Sequence, residues 1–271
     1  DYVHGLVSKD DFISILKLVE SYVFRRAICG IPTNSLNKTF GNLYKSVNTE
    51  NYLESVQASF QLLDSYKRFP DDTEFEKEII SKDVYNFRSR NYLLSKLENF
   101  KRKEFVNVDE YTIEHILPQN QNLSEEWQNM LGEEWQDIQK KYLHTLGNLT
   151  LTGYNSEMSD HPFARKKSIE GGFDDSPLRL NTSLRTASQW TPLEIGERAG
   201  ELSQKATLIW DSPKLSSEIL ERYLQKDEKE IVSYNLNHFG YLEGEILELY
   251  ESLKIRILNI DSSVKEEIKK L

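Results

Sequence analysis

Apolar residues recur at three- and four-residue steps along most of this chain, and that period predicts helices. Phe12, Ile15, Leu16, Val19, Tyr22 and Val23 set one over Asp11 to Gly30. Asp10 or Asp11 is placed to cap its start and Gly30 to end it, and Pro32 prevents continuation. A second helix is expected after Asn34, carrying Phe40, Leu43 and Tyr44. A third covers Glu50 to Tyr66, with Leu53, Val56, Phe60 and Leu63 on one stripe. Arg68 to Asp72 has the turn chemistry of a loop. Asp72 to Ser81 and Asp83 to Lys103 supply two more helices, the latter burying Tyr92, Leu93, Leu97 and Phe100. Residues 1–108 therefore read as a helical bundle or connector.

The pattern changes at residue 111. Tyr111-Thr-Ile-Glu-His-Ile-Leu-Pro118 is a short strand rich in Tyr, Thr and Ile and stopped by Pro118. Leu149 to Thr152 is a second strand, followed by a Gly153 turn and polar helix formers. A helical insertion separates them: Ser124 caps it, Glu125 and Glu126 complement its dipole, and Gly132 offers a break. Trp127, Leu131, Trp135, Ile138 and Tyr142 form its stripe, so the tryptophans read as core anchors. Ser168 to Ser188 is loop-rich. Thr191-Pro-Leu-Glu194 fits a capping box with Pro at the first helical position, opening a helix to about Trp210 that Asp211-Ser-Pro213 stops. Helical segments over Glu218 to Tyr223, Leu242 to Leu258 and Asp261 to Leu271 follow, with His238 as a turn residue. The expected fold class is mainly α with a small β component. Its expected division is 1–108, 109–212 and a partial helical domain over 213–271.

A length of 271 residues suggests about two domains. The chain starts at Asp1 without Met and stops at Leu271 inside a helical pattern, so it reads as an excerpt. Cys29 is its single cysteine, a small core residue that leaves no internal disulfide and no Cys-cluster zinc site. No run of about 18 apolar residues is present, and the cytoplasm is the simplest location. The net charge of −10 argues against broad, unaided nucleic-acid binding. Asp109 to Glu170 is itself acidic, with 11 Asp/Glu against 5 Lys/Arg. Against this, Arg88, Arg90, Lys96, Lys101, Arg102 and Lys103 gather before the strands, and Arg165, Lys166 and Lys167 after them.

A histidine beside a carboxylate on one strand, faced by amides and a basic helix, suits attack on a phosphodiester. Glu114-His115-Ile-Leu-Pro118, Gly147-Asn148-Leu149, Asn155 and Phe163-Ala-Arg-Lys-Lys167 in that order resemble the HNH (His-Me finger) nuclease module. More narrowly, they resemble the C-terminal domain of GmrSD-type modification-dependent restriction endonucleases. In this reading His115 is a general base, since a neutral imidazole near pH 7 accepts a proton from water. Glu114 and Asn155 are candidate oxygen ligands for one Mg²⁺ or Mn²⁺. Ser159 and His161 compete with Asn155, though in a helix His161 falls about 120° round from it. The resemblance implies that Asn148 orients His115. Lys166, Lys167, Arg165 and His144 are candidates for contact with the substrate backbone.

The resemblance also implies an embedded ββα-metal motif, DNA as substrate, and a role in restriction of foreign or modified DNA. It further implies a nucleotide-hydrolysing, modification-sensing N-terminal domain or partner subunit. No phosphate-cradling Gly-rich loop lies within these residues. Neighbouring strand side chains point to opposite faces, so a shared pocket for Glu114 and His115 requires a twist or bulge before Pro118. The module departs from many HNH relatives in having Glu at 114, Asn at 155 and no paired cysteines. A non-catalytic helical adaptor and an RNA-directed nuclease are the competing readings.

Overall fold

In the computed structural model, residues 1–229 and 243–258 are described. The chain divides into two compact units, Asp1–Leu215 and Ser216–Leu271. The first begins with α1 (Lys9–Ile28), α2 (Leu36–Leu43), α3 (Tyr52–Gln61), α4 (Asp72–Ser81) and α5 (Arg90–Asn99). A two-stranded antiparallel sheet follows, β1 (Thr112–His115) with β2 (Leu149–Thr152), split by α6 (Glu125–Leu131) and α7 (Trp135–Tyr142). Then come α8 (Asn155–Met158), α9 (Phe163–Ser168), α10 (Thr182–Thr186) and the long α11 (Pro192–Ile209). The described residues are thus mainly helical with one small sheet.

Local chemistry explains several boundaries that differ from the sequence pattern. Helix α1 starts earlier because Ser8, not Asp10 or Asp11, is its cap, accepting from Asp11 N at 3.1 Å. Its buried face is also rotated: Leu18, Tyr22, Phe24 and Ile28 are inside, while Leu16 and Val23 are exposed. Arg25 and Arg26 lie on that inner side because their guanidinium groups find carbonyls. Arg25 donates to Trp210 O and Pro70 O and pairs with Asp72, and Arg26 donates to Tyr66 O and Pro32 O. Instead of one helix over 83–103, Asp83 turns the chain by accepting from Asn86 N at 2.9 Å, and α5 begins only at Arg90. Helix α3 ends at Gln61 rather than near Tyr66. Gly132, at φ +82°, separates α6 from α7 as its position suggested. The capping box at Thr191 and Glu194 forms, with Pro192 at the helix start.

The sheet sits between two cores. Leu149 and Leu151 of β2 join Phe24, Phe75, Leu93, Leu97, Leu202 and Trp210, binding α1, α4, α5 and α11 together. Ile116 and Leu117, just past β1, join Trp127, Leu131, Phe163, Trp190 and Ile195, where the α6–α7 insertion packs. The insertion's tryptophans are therefore core anchors: Trp127 is fully buried and Trp135 packs against this second core. A third cluster of Leu18, Tyr22, Val56 and Phe60 joins α1 to α3.

The second unit, taken by itself, contributes α12 (Ser217–Lys229) and α13 (Gly244–Leu258). On α13, Ile246, Leu249 and Leu253 are exposed. The expected segment Asp261 to Leu271 and the His238 turn lie outside the described residues.

Candidate functional site

The loop entering β2 is held from below by α11. Arg198, buried on α11, donates to Leu146 O, Gly147 O and Leu149 O at 2.8–3.1 Å and to Leu180 O at 3.1 Å. Burial pushes its guanidinium down to about 10, so the carbonyls hold a cation that has lost its water. Gly147 makes this approach possible, since a Cβ there would lie 2.4 Å from Ile195 O.

Asn148 then projects into the space beyond β1 and bridges the two halves of the site. Its Oδ1 accepts from Leu117 N at 2.8 Å and Trp190 Nε1 at 3.1 Å. Its Nδ2 donates to Leu117 O and Leu143 O, both at 3.0 Å. The side chain thus orders the backbone just after His115 and just before His144, rather than touching the His115 ring. Gln139 of α7 fastens the next stretch, donating to Pro118 O at 2.7 Å and Asn120 O at 2.9 Å.

His115 pairs across the sheet with Leu149, and its ring occupies a pocket of polar and aromatic groups. Its Nε2 is 3.1 Å from His144 Nδ1, and its Nδ1 is 2.7 Å from Gln119 Nε2. Tyr85 stacks on His144 at 5.1 Å between ring centroids and meets His115 edge-on at 4.5 Å. Arg90 in turn lies over the Tyr85 ring and donates to Tyr85 O at 2.5 Å. His115 is only 4% exposed, but Gln119 is exposed and His144 and Tyr85 are half-buried, so its surroundings open to the surface. Burial first, then His144 and the Lys166 ammonium, push the His115 imidazole down to about 3, with Asp83 opposing them. The ring is therefore neutral at ordinary pH. Tyr85 and Gln119 were not singled out from sequence. Tyr85 lay within an expected helix, and Gln119 had only its position four residues beyond His115.

Glu114 faces elsewhere. The ladder runs Thr112↔Thr152, Ile113↔Leu151, Glu114↔Thr150, His115↔Leu149 without a bulge, so Glu114 and His115 project to opposite faces. The carboxylate of Glu114 accepts from buried Lys166 Nζ at 2.5 Å, and the same ammonium donates to His115 O at 2.8 Å. Burial raises the Glu114 carboxyl and lowers the Lys166 ammonium, while each partner opposes the other's shift. Asn155 opens α8, and its Nδ2 donates to Ile113 O at 3.0 Å and to Thr112 Oγ1 at 3.3 Å.

The expected convergence of His115, Glu114 and Asn155 on one ion is thus not what the chain folds into. The carboxylate is engaged by an ammonium, and the Asn155 amide is turned to β1. Among the described residues no group of three His, Cys, Asp or Glu side chains is placed to hold a metal. As folded, these residues do not fit a divalent ion.

The expected backbone-binding residues also divide. Lys166 is fully buried on Glu114, which removes it from any exposed anion-binding surface. Lys167 donates to Arg185 O and Ala187 O, both at 2.7 Å, and so ties α9 to the end of α10. Arg165 is exposed and His144 half-exposed. Ser159 and His161 are exposed beyond α8, where the His161 carbonyl accepts from Trp127 Nε1 at 3.2 Å.

Residues 69–205 match the family model for GmrSD restriction endonucleases, C-terminal domain. That span runs from the loop before α4 to near the end of α11 and contains the whole site. The chain belongs to this family. The GmrSD match supports a restriction-endonuclease type of nuclease function, with DNA as the substrate of such enzymes. Neither the curated proteins nor the solved structures give a match. No described helix is long and apolar enough to cross a membrane.

Proposed function

We propose that this GmrSD C-terminal domain is an HNH-type endonuclease that hydrolyses DNA phosphodiesters, with His115 as the general base. The carrying observation is a neutral imidazole at the end of β1, with one ring nitrogen against an exposed amide and the other against a second histidine. The succession of β1, β2, α8 and α9 supports reading the region as the ββα core of that module. A base held near 3 is fully deprotonated but weak. The negative charge of an incoming phosphodiester raises it, toward the range where proton transfer from water is effective. His115 takes the proton, the water oxygen bonds to phosphorus, and one P–O ester bond breaks, its oxygen taking a proton from solvent.

Asn148 acts as a positioning residue through the backbone of Leu117 and Leu143. Arg165, exposed on α9, is the cation of the basic run best placed to meet a phosphate. The resemblance carries a requirement for Mg²⁺ or Mn²⁺ with Glu114 and Asn155 as ligands. Glu114 would have to leave Lys166 to take up such an ion. A nucleotide-hydrolysing, modification-sensing region on the same or another chain would supply the grip that an acidic domain lacks.

Nicking of supercoiled plasmid with Mg²⁺, Mn²⁺ or chelator, beside RNA of similar length, tests this reading. The wild type and His161→Ala should nick DNA while His115→Ala does not. Equal nicking by all three would overturn His115 as the base, and no nicking by the wild type would return the domain to a non-catalytic adaptor, a role that the acidic charge also favours.

A further inference from the structure

We propose that His144 is the positioning residue of the His115 base, fixing it as the tautomer that works through Nδ1. This rests on the reading of His115 as the base. The Gln119 amide nitrogen, 2.7 Å from His115 Nδ1, has only protons to offer, so Nδ1 is the bare acceptor. A neutral imidazole has one N–H, which must then be on Nε2 and is donated to His144 Nδ1 at 3.1 Å. His144 Nδ1 is then the acceptor of that proton.

His144 is itself held on two sides. Its ring lies nearly parallel to Tyr85, at 13° between planes, and its carbonyl accepts from Val84 N at 2.8 Å. Asn148 anchors the preceding residue by donating to Leu143 O at 3.0 Å. The acceptor that selects the His115 tautomer therefore sits on backbone fixed by the Gly147–Asn148 loop. At the other nitrogen stands the exposed side chain of Gln119. Gln119 occupies the place of the attacking water and withdraws when substrate enters. Nδ1 then takes the proton of that water, whose oxygen bonds to phosphorus as the ester bond breaks.

The test combines a spectroscopic and a kinetic reading on the full chain. In ring-¹⁵N-labelled wild-type protein near pH 7.5, His115 should show the Nε2–H tautomer. His144→Asn keeps an acceptor close to the position of Nδ1, whereas His144→Ala removes it. The Ala variant should gain Nδ1–H tautomer at His115 and lose about 100-fold in kcat with KM little changed, and Asn should restore most of that loss. A wild-type Nδ1–H tautomer overturns the proposal even if the His144 variants misfold. Wild-type kcat in His144→Ala with a dead His115→Ala overturns this proposal alone. Full activity in His115→Ala overturns both this proposal and the base assignment.

Discussion

Below about pH 6.5 an unfolded chain protonates His115, whereas in the folded protein burial, His144 and Lys166 hold the imidazole down to about 3. The unfolded state then binds a proton that the folded state refuses, so stability is complete above pH 6.5 and falls as pH drops toward 3. Each pH unit inside that window costs at most about 1.4 kcal/mol from this group. Urea unfolding between pH 7.5 and 5.5 should show the loss, and His115→Gln should flatten it; equal slopes in both proteins would contradict the assigned cause. Glu114 and Lys166 form a pair that neither member can leave cheaply. Lys166→Met strands a buried carboxylate and should lower stability by about 3–5 kcal/mol, measured by denaturant midpoint. Glu114 and His115 were legible as candidates because they stand together on a strand. The Lys166 pairing was not, because its partner is 52 residues away and nothing local signals it. The role of Asn148 was half legible: Gly-Asn-Leu marks a special loop, but only coordinates show its amide bound to Leu117, Leu143 and Trp190.

At the scale of elements, the site depends on α11 and α7 more than on the two short strands. Arg198 of α11 binds the carbonyls around Gly147, and Gln139 of α7 binds those of Pro118 and Asn120. Arg198→Met leaves buried carbonyls without donors and should cost on the order of 3 kcal/mol or more. Gly147→Ala forces its methyl against the Ile195 carbonyl and should also destabilise, by about 1–3 kcal/mol. Both are read by thermal unfolding, and near-wild-type midpoints would mean the loop is not braced by α11. The strands, the break at Gly132 and the capping box at Thr191 were readable because β-favouring residues bounded by Pro118 and Gly153, a glycine within a helical stripe, and cap chemistry are local signals. The 83–89 turn was not, since its apolar spacing continues the helical period while an Asp83 side chain ends it. That turn matters, for it presents Tyr85 to both histidines.

Over the whole molecule, a net charge of −10 sets what the chain does by itself. Few phosphates can be neutralised, so DNA binding by this chain alone should be no tighter than about 10⁻⁴ M at physiological salt, with a shallow salt slope. Fluorescence anisotropy with a labelled duplex measures both, and micromolar affinity with a steep slope would show a basic surface not apparent in the charge distribution. The division at Leu215 leaves the site wholly within the first unit, where three hydrophobic clusters support it. Whether the imidazole at position 115 accepts the proton of the attacking water is decided by chemical rescue. Single-turnover DNA cleavage is followed for His115→Gly with and without added imidazole. No cleavage is expected without imidazole, and a concentration-dependent return with it. Cleavage by His115→Gly at the wild-type rate, indifferent to imidazole, would contradict that role for His115.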